Sequence, residues 1–186
     1  MKTHAGFTLV ELLATIAVAT ILLGIATPSF IEFSRKTRIT TYTNDFVATM
    51  NFARSEAIRR GATVTICHTN NETACSGTWS DGWLVFTDKN GNGAIDTTDN
   101  DEILRTHEHF ASGYALGTND TFANNIIYGP DGAANDIGVF AVCHGTETKG
   151  ARAIIVTRLR PRTATDTDGD GIPNKDTGNI ASCTDP

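Results

Sequence analysis

A group of basic residues near the C-terminal end of the sequence has the clearest chemical character. The chain carries a formal net charge of −6, yet residues 149–162 contain no acid and five cations: Lys149, Arg152, Arg158, Arg160 and Arg162. Guanidinium groups pair well with phosphates, and alternate positions of an extended segment project to one side about 6.6 Å apart, close to the phosphate spacing along one DNA strand. The group therefore predicts an anionic partner. The candidates are double-stranded DNA, acidic patches of neighbouring subunits, and the acidic loop that begins at Asp166.

An acidic loop in the middle of the chain has the ligand spacing of a calcium site. Oxygen-bearing side chains alternate along it and Gly93 supplies a sharp turn, with Asp88, Asn90, Asn92, Asp96 and Asp99 at positions 1, 3, 5, 9 and 12. The last position normally holds a bidentate Glu, and Asp99 is one methylene shorter. The "NGNG" sequence within this loop equally predicts a hairpin turn.

A second acidic loop lies close to the C-terminus, and its pattern is more specific. It contains an alternating acidic run followed by Gly171, and the predicted ligands are Asp166, Asp168, Asp170, Asn174 and Asp176. The run is similar to calcium-stabilised loops of extracellular proteins, such as the thrombospondin type 3 repeats. The alternative is a flexible acidic tail closed only by Cys183.

The cysteines indicate an oxidising compartment. There are four of them, and the simplest pairing joins Cys67 to Cys75 and Cys143 to Cys183. Zinc binding is the alternative, because a histidine directly follows Cys67 and another directly follows Cys143. Adjacent residues on a strand point to opposite faces, however, and no C-x-x-C spacing occurs, so disulfides are favoured.

Catalysis has little support in the sequence. The motifs G-x-S-x-G, H-E-x-x-H and the phosphate-binding P-loop do not occur. His107 and His109 place two imidazoles on one strand face without a third ligand. We expect a protein that is not an enzyme and requires no cofactor, with calcium in a structural role as the ion to consider.

The elements that hold these candidate sites begin with an apolar N-terminal segment. Residues 7–31 are long enough as a helix to cross a hydrocarbon core of about 30 Å. Glu11 interrupts this segment, and a carboxylate within a membrane helix costs roughly 3 kcal/mol, so it needs a partner or a function. Lys2 precedes the segment and three cations follow it, so the positive-inside rule alone would place the rest of the chain in the cytoplasm. The even number of cysteines beyond it favours the opposite orientation.

The next segment, residues 32–61, predicts an amphipathic continuation of the helix. Apolar residues recur at spacings of three and four, as on one helical face, and Gly61 is placed to end the helix. The face consists of Ile39, Tyr42, Phe46, Met50, Ala53 and Ala57. The charged residues near its end, Arg54, Glu56, Arg59 and Arg60, predict a solvated face with pairs three or four residues apart.

Residues 62–186 predict a β-rich domain. Short β-branched and aromatic runs alternate with Gly, Asn and Asp clusters, the pattern of an antiparallel sheet joined by turns. The predicted strands are residues 63–68, 82–88, 102–107, 124–129, 137–143 and 152–159. The predicted fold class is therefore α+β, with a long N-terminal helix packed on antiparallel sheets and a disulfide-bonded C-terminal tail.

The sequence "GFTLVELL" at the start of the apolar segment resembles the class III signal of type IV pilins and of the pseudopilins of type II secretion. The resemblance implies that residues 1–6 are a leader, that a prepilin peptidase cleaves after Gly6, and that Phe7 becomes the N-methylated first residue. It also implies that Glu11 neutralises the N-terminal ammonium of a neighbouring subunit, a desolvated pair that fixes the axial register. The chain would first be an inner-membrane protein with a periplasmic domain, and then part of a pilus or pseudopilus.

Two further stretches, "ARSEAIRRG" and "CSGTWSDGWLVFTDKNGNG", resemble the GspH/FimT group of minor pilins and pseudopilins. DNA-binding members of this group carry G-R-x-R after the final strand. Arg160 and Arg162 match its arginines, but Leu159 stands where the glycine is expected, which changes the turn.

The resemblance implies three hypotheses. The first is a type IV minor pilin that initiates or caps filament assembly and captures DNA for natural transformation. The second is a purely structural tip subunit of the type II secretion pseudopilus. The third is a DNA-indifferent pilin with a calcium-stiffened adhesive tip. All three imply assembly with other pilins or pseudopilins through the N-terminal helix.

Overall fold

The computed structural model describes residues 7–176 and 178–186, and it begins with a long helix. This helix, α1, spans Leu9–Arg60 and includes Pro28. The chain divides into two compact units, residues 1–37 and 38–186, and α1 contributes to both.

The first unit consists of the apolar part of α1. Its large apolar side chains are exposed, and an 18-residue window of the helix has a mean hydropathy of 2.4. Its threonines hydrogen-bond within the helix: Thr20 Oγ1 donates to the Ile16 carbonyl at 2.8 Å, and Thr27 Oγ1 to the Leu23 carbonyl at 2.7 Å. By length and composition this helix can cross a membrane. These threonine hydroxyls donate to helix carbonyls, so they need no water within the bilayer.

In the second unit α1 buries one face, as the periodicity predicts. The buried residues are Ile39, Thr43, Phe46, Thr49, Met50, Ala53 and Ala57. Tyr42, also predicted to lie on this face, is half-buried and stacks on Phe110 with ring centroids 4.0 Å apart. The helix ends where Gly61 adopts φ = 61° and the Ala62 amide donates to the Ala57 carbonyl at 3.2 Å. Glycine reaches this left-handed conformation without strain, so the end at Arg60 follows from the sequence.

The rest of the second unit is formed by ten strands within the described residues. They are β1 Val64–His68, β2 Trp83–Thr87, β3 Ile103–His107, β4 Tyr114–Thr118, β5 Asn125–Tyr128, β6 Gly138–His144, β7 Glu147–Val156, β8 Pro161–Thr163, β9 Asn174–Lys175 and β10 Gly178–Asn179. All pair antiparallel, in a sheet ordered β3-β2-β1-β5, a sheet ordered β4-β6-β7-β8 and a β9-β10 pair.

Each predicted strand is present in the structure, but β4, β8, β9 and β10 were not predicted. The last predicted strand, residues 152–159, was also wrong in its limits. It begins earlier, at Glu147, and ends at Val156. Strand β6 explains the early start, because β7 pairs with it as far as Glu147 opposite His144.

An aromatic core joins α1 to both sheets. The Phe46 ring lies 4.9 Å from the Trp83 ring and 4.8 Å from the Phe140 ring, centroid to centroid, in edge-to-face contacts. Trp83 Nε1 donates to Thr49 Oγ1 at 3.1 Å, which satisfies the buried indole. This core holds the sheets in fixed positions against the helix, and the candidate sites lie on the loops at their edges.

Candidate functional site

The predicted arginines surround the turn between β7 and β8. Arg158 and Arg160 lie in the turn and Arg162 lies on β8, and all three are exposed. Thr157 closes the turn, since its Oγ1 donates to the Arg160 carbonyl at 2.8 Å and accepts from the Arg160 amide at 3.2 Å. The expectation of one extended segment with regular spacing is therefore wrong, and the three arginines instead follow the curvature of a hairpin.

The other two predicted cations lie apart from this turn. Arg152 is opposite Val142 in the sheet, and Arg162 is opposite Ile155, so by strand alternation the two arginines project from opposite faces. The Lys149 side chain lies over Gly171 of the tail loop, where an added Cβ would be 3.3 Å from Lys149 Cε. The structure thus brings together three of the five cations.

The three clustered arginines differ in their partners. Arg162 forms an ion pair with Asp176. Among the described residues, no carboxylate lies within 4.0 Å of Arg158 or Arg160. Two guanidinium groups are therefore available to an external anion, and the third is held by the chain's own tail.

The tail loop brings three of its five predicted calcium ligands together. One carboxylate oxygen from each of Asp166, Asp168 and Asp170 lies within 4.8 Å of the others. Asp166 also accepts from the Gly169 amide at 2.7 Å and the Gly171 amide at 2.9 Å. Desolvation raises the pKa of Asp166, but hydrogen bonds from these backbone amides, from Asp168 and from Asp170 outweigh it, so the net pKa is lowered. The carboxylate is thus kept ionised, as a cation ligand must be.

The remaining two predicted ligands have other partners. Asn174 Oδ1 accepts from the Thr167 amide at 2.6 Å, and its Nδ2 donates to Asn179 Oδ1 at 2.5 Å. Asp176 pairs with Arg162. These contacts, with the Gly150 amide donating to the Gly171 carbonyl at 2.8 Å, fold the loop against β7. The tail is therefore built into the domain by more than its disulfide.

The middle acidic loop joins the antiparallel strands β2 and β3 by a long connection from Thr87 to Ile103 that includes a short 3-10 helix, Thr97–Asp99, and not by a tight turn at "NGNG". Asp88 is fully buried, and it accepts from Thr65 Oγ1 at 2.7 Å and from the Gly93 amide at 2.9 Å. Asp96 accepts from the amide groups of Asn90 and Asn92, and Asn90 also donates to Asp99. Asp101, which no sequence pattern singles out, accepts from the Lys89 and Asp96 amides at 3.1 and 3.0 Å. Asp88 and Asp101 thus have structural roles in closing this loop.

The two disulfides have the simplest pairing, Cys67–Cys75 and Cys143–Cys183. All four cysteines are used, so the zinc alternative is wrong. Closing the 40-residue separation between Cys143 and Cys183 contributes about 4 kcal/mol by loop entropy, and the 8-residue separation about 2.5 kcal/mol.

The N-terminal motif is partly visible. Gly6 lies outside the described residues, while Phe7 and Glu11 are exposed. Thr8 caps α1, since its Oγ1 accepts from the Glu11 amide at 3.3 Å and its carbonyl from the Leu12 amide at 3.1 Å. The spacing of Thr8 and Glu11 is that of a capping box, so Glu11 also lies near the positive end of its own helix dipole.

The α+β fold of the described residues, a long helix packed on antiparallel sheets, is similar to that of two solved structures. Both are crystal structures of the type IV minor pilin FimU of Pseudomonas aeruginosa, and each is 17% identical to this chain. The first has a TM-score of 0.58 and covers 81% of this chain and 98% of FimU. The second has a TM-score of 0.55 and covers 77% and 98%.

The sequence comparisons identify the family. The model of the type II transport protein GspH matches residues 42–159, and the prokaryotic N-terminal methylation motif matches residues 1–27. The chain belongs to the GspH family.

Two curated relatives are named fimbrial proteins, both from Pseudomonas aeruginosa. One is 29% identical over 102 residues, which is 55% of this chain and 64% of the relative. The other is 30% identical over 100 residues, which is 54% and 63%. The chain spans just under two thirds of the length of these relatives.

Proposed function

We propose that this protein is a minor pilin of a type IV pilus, which initiates or caps filament assembly. One observation carries the proposal: the apolar part of α1 is exposed and contains Glu11 near its start. Such a surface needs lipid before assembly and other apolar helices afterwards. The methylation motif and the fimbrial relatives support the same conclusion.

The proposed route begins in the inner membrane, with the disulfide-bonded domain on the periplasmic side. A prepilin peptidase removes residues 1–6, and Phe7 is methylated. The Glu11 carboxylate then pairs with the N-terminal ammonium of a neighbouring subunit, because neither charge is stable alone among apolar helices.

This assembly role can be tested by comparing a deletion strain that carries the wild-type gene with one that carries Glu11→Ala. Glu11→Ala is expected to reduce recovery of the chain in sheared filaments about tenfold or more while membrane levels stay unchanged, as for removal of one partner of a buried ion pair. Glu32→Ala is the control. Glu32 directly follows the apolar segment, and it forms an ion pair with Lys36 in which both side chains are more than half exposed. Equal filament recovery for Glu11→Ala and the control would contradict the role of Glu11.

We further propose that the β7–β8 turn binds double-stranded DNA through Arg158, Arg160 and Arg162. Support comes from the exposure of all three and from Arg158 and Arg160, which have no carboxylate within 4.0 Å among the described residues. The turn carries no sequence-reading element, so the contacts expected are to phosphates. Lys149 and Arg152 lie away from this turn. We expect them to have an auxiliary role, in contact with DNA that extends beyond the turn along the sheet.

The DNA proposal is tested with the full chain in non-ionic detergent and a labelled duplex. Fluorescence anisotropy should detect binding whose affinity falls steeply with salt, and the triple variant R158A/R160A/R162A should lose it. The variant R59A/K89A/R105A removes the same charge from exposed positions elsewhere and should retain most binding. Equal loss in both variants would mean that only net charge matters, and no binding by wild type at low salt would end the DNA proposal.

The second candidate function is that of a minor pseudopilin of type II secretion. The matching family model carries the description of a type II transport protein. Deleting the gene separates the two: loss of surface pili with normal secretion supports the pilus, and accumulation of secreted enzymes in the periplasm supports the pseudopilus.

Calcium in the tail loop is a further proposal. Asp166, Asp168 and Asp170 converge there, and Asn174 lies in the same loop. The middle loop is the weaker of the two sites, since Asp88 is fully buried and the amide groups of Asn90 and Asn92 donate to Asp96 and Asp99.

A further inference from the structure

Exposed large apolar side chains are few in the second unit, and most of them are close together. In the described residues from 38 to 186 they are Ile58, Ile103, Ile137 and Leu159, with exposed fractions of 51, 37, 59 and 72%. Ile103 lies on the edge strand β3. The other three form what we name the Ile58 patch: Ile58, Ile137 and Leu159.

Three segments meet at the Ile58 patch. Gly132 lies against the end of α1, where an added Cβ would be 2.5 Å from Ile58 Cδ1 and 3.2 Å from Arg54 Nε. The Ala134 amide donates to the Arg158 carbonyl at 3.0 Å, which joins this loop to the turn that carries Leu159. Ile137 directly precedes Gly138, which pairs with Val156 at the base of the same turn. These contacts bring the segments that carry the three residues together, although the residues are far apart in sequence.

Arg54 supplies a cation beside the patch. The sequence predicts a solvated face for Arg54, Glu56, Arg59 and Arg60 with pairs three or four residues apart. Glu56 does pair in this way with Arg59 and Arg60, but Arg54 is half-buried and outside these pairs. Among the described residues no carboxylate lies within 4.0 Å of Arg54, and its buried Nε has no hydrogen-bond acceptor. Arg54 is thus held in place by packing against Gly132, with its charge unpaired.

A second buried polar group lies near Arg54. The Tyr128 hydroxyl is buried without a hydrogen-bond partner among the described residues. Burial raises its pKa and the neighbouring Arg54 charge opposes the rise, so the hydroxyl stays a neutral donor. Unpaired buried donors of this kind cost stability unless an acceptor approaches. The acids nearest in sequence do not supply one, since Asp131 accepts from the Ala133 amide and Asp136 from the Ile137 amide.

We propose that the Ile58 patch docks a neighbouring pilin subunit of different sequence, which places an apolar side chain among Ile58, Ile137 and Leu159 and a carboxylate on Arg54. The centres of protein interfaces are typically rich in arginine and apolar side chains that are held together on one rigid surface. The cations Arg54, Arg158 and Arg160 adjoin the patch. Charge complementarity therefore calls for an acidic partner surface. DNA fits it less well, because a phosphate backbone leaves the three aliphatic side chains without an apolar partner. The inference rests on the proposed role as a filament subunit.

The first experiment is site-specific photo-crosslinking in cells that make the filament. The full chain carries p-benzoylphenylalanine in place of Leu159 or, as the matched control, in place of Ile103. We expect an adduct from position 159 with another pilin, absent from position 103, and a cross-linked peptide that contains Asp or Glu next to an apolar residue. An adduct with DNA and none with a pilin, an adduct with a second copy of this chain, or equal yields at the two positions would overturn the proposal.

The second experiment tests Arg54 itself. Arg54→Gln is expected to lower the adduct yield about tenfold, the effect of losing one central interface residue, and charge reversal at Arg54 should be rescued by reversing the cross-linked acid. Because Arg54→Gln changes a half-buried site, Leu159→Asp is the parallel variant. With the probe then at Ile137, Leu159→Asp should lower the yield as Arg54→Gln does, and Ile103→Asp should not. Full adduct yield in both Arg54→Gln and Leu159→Asp would overturn the proposal.

Failure of the inference and failure of the proposed function can be told apart. A chain that is recovered in filaments but forms no adduct at position 159 is a pilin without this docking surface. A chain that is absent from filaments but forms the adduct with a pilin in the membrane keeps the docking surface and loses the proposed filament role.

Discussion

Arg162 on β8 is paired with Asp176 in the tail, fourteen residues further along the chain. The pair joins the proposed DNA-binding turn to the proposed calcium loop, and it occupies one of the three arginines that the turn presents. Any anion that binds the turn must therefore compete with the chain's own carboxylate for Arg162, or bind through Arg158 and Arg160 alone.

Asp176→Asn should raise the affinity for double-stranded DNA at low salt, because it releases Arg162. The expected gain is about two- to fivefold, since an exposed ion pair is worth at most about 1 kcal/mol. Fluorescence anisotropy with the full chain measures it. Asp120→Asn removes an equal charge from an exposed position elsewhere, so an equal gain in that variant would show that general repulsion, and not release of Arg162, is responsible.

Calcium should stabilise the wild-type protein through the tail loop. We expect a rise in melting temperature on adding millimolar calcium, reversed by a chelator, because binding to the folded state alone shifts the unfolding equilibrium. Asp168→Asn should abolish the rise. Asp99→Asn in the middle loop should preserve it, and the reverse pattern would place the ion in the middle loop.

Thr49→Val should destabilise the domain although the two side chains have nearly the same shape. It removes the acceptor of the buried Trp83 indole and leaves that N–H unsatisfied, at a cost of about 1–3 kcal/mol. Denaturant unfolding followed by tryptophan fluorescence reports it. Thr106→Val, at an exposed position of β3, is the control, and equal stability of the two variants would mean that the indole finds another partner.

Glu56→Gln should lower stability at neutral pH and lose its effect in acid. Hydrogen bonds from Arg59 and then Arg60 hold the pKa of Glu56 well below its usual value of 4.5, at about 2. A carboxyl group with a lowered folded-state pKa contributes stability above its unfolded pKa, and the contribution disappears as the pH falls through the folded value. The difference in melting temperature between wild type and variant should therefore close between pH 4.5 and pH 2. If the melting-temperature difference stays constant over that pH range, the substitution acts through packing and not through the charge of Glu56.

The helix and its end were predictable because their causes are local. A spacing of three and four residues identifies the buried face of α1, and Gly61 supplies the left-handed conformation that ends it. Strands β4 and β8 were not predictable from the sequence, because they form only by pairing with β6 and β7. The β4 sequence "YALGT" also lacks the density of apolar residues that marks a strand in isolation.

The candidate sites were predictable as groups of residues but not as arrangements. The arginines were found from composition, yet their turn is closed by Thr157 and bonded to the Ala134 amide, and the partner of Arg162 lies in another segment. Convergence of Asp166, Asp168 and Asp170 follows from their alternation. Asp88 and Asp101 carried no local signal of their structural roles, which depend on Thr65 and on backbone amides across the loop.

The central claim, that this chain is a processed filament subunit, is tested most directly by measuring the intact mass of the protein recovered from sheared filaments. The account predicts a chain that begins at Phe7, carries one N-terminal methyl group and has both disulfides formed. Recovery only from the membrane fraction, with Met1–Gly6 still attached, would contradict it.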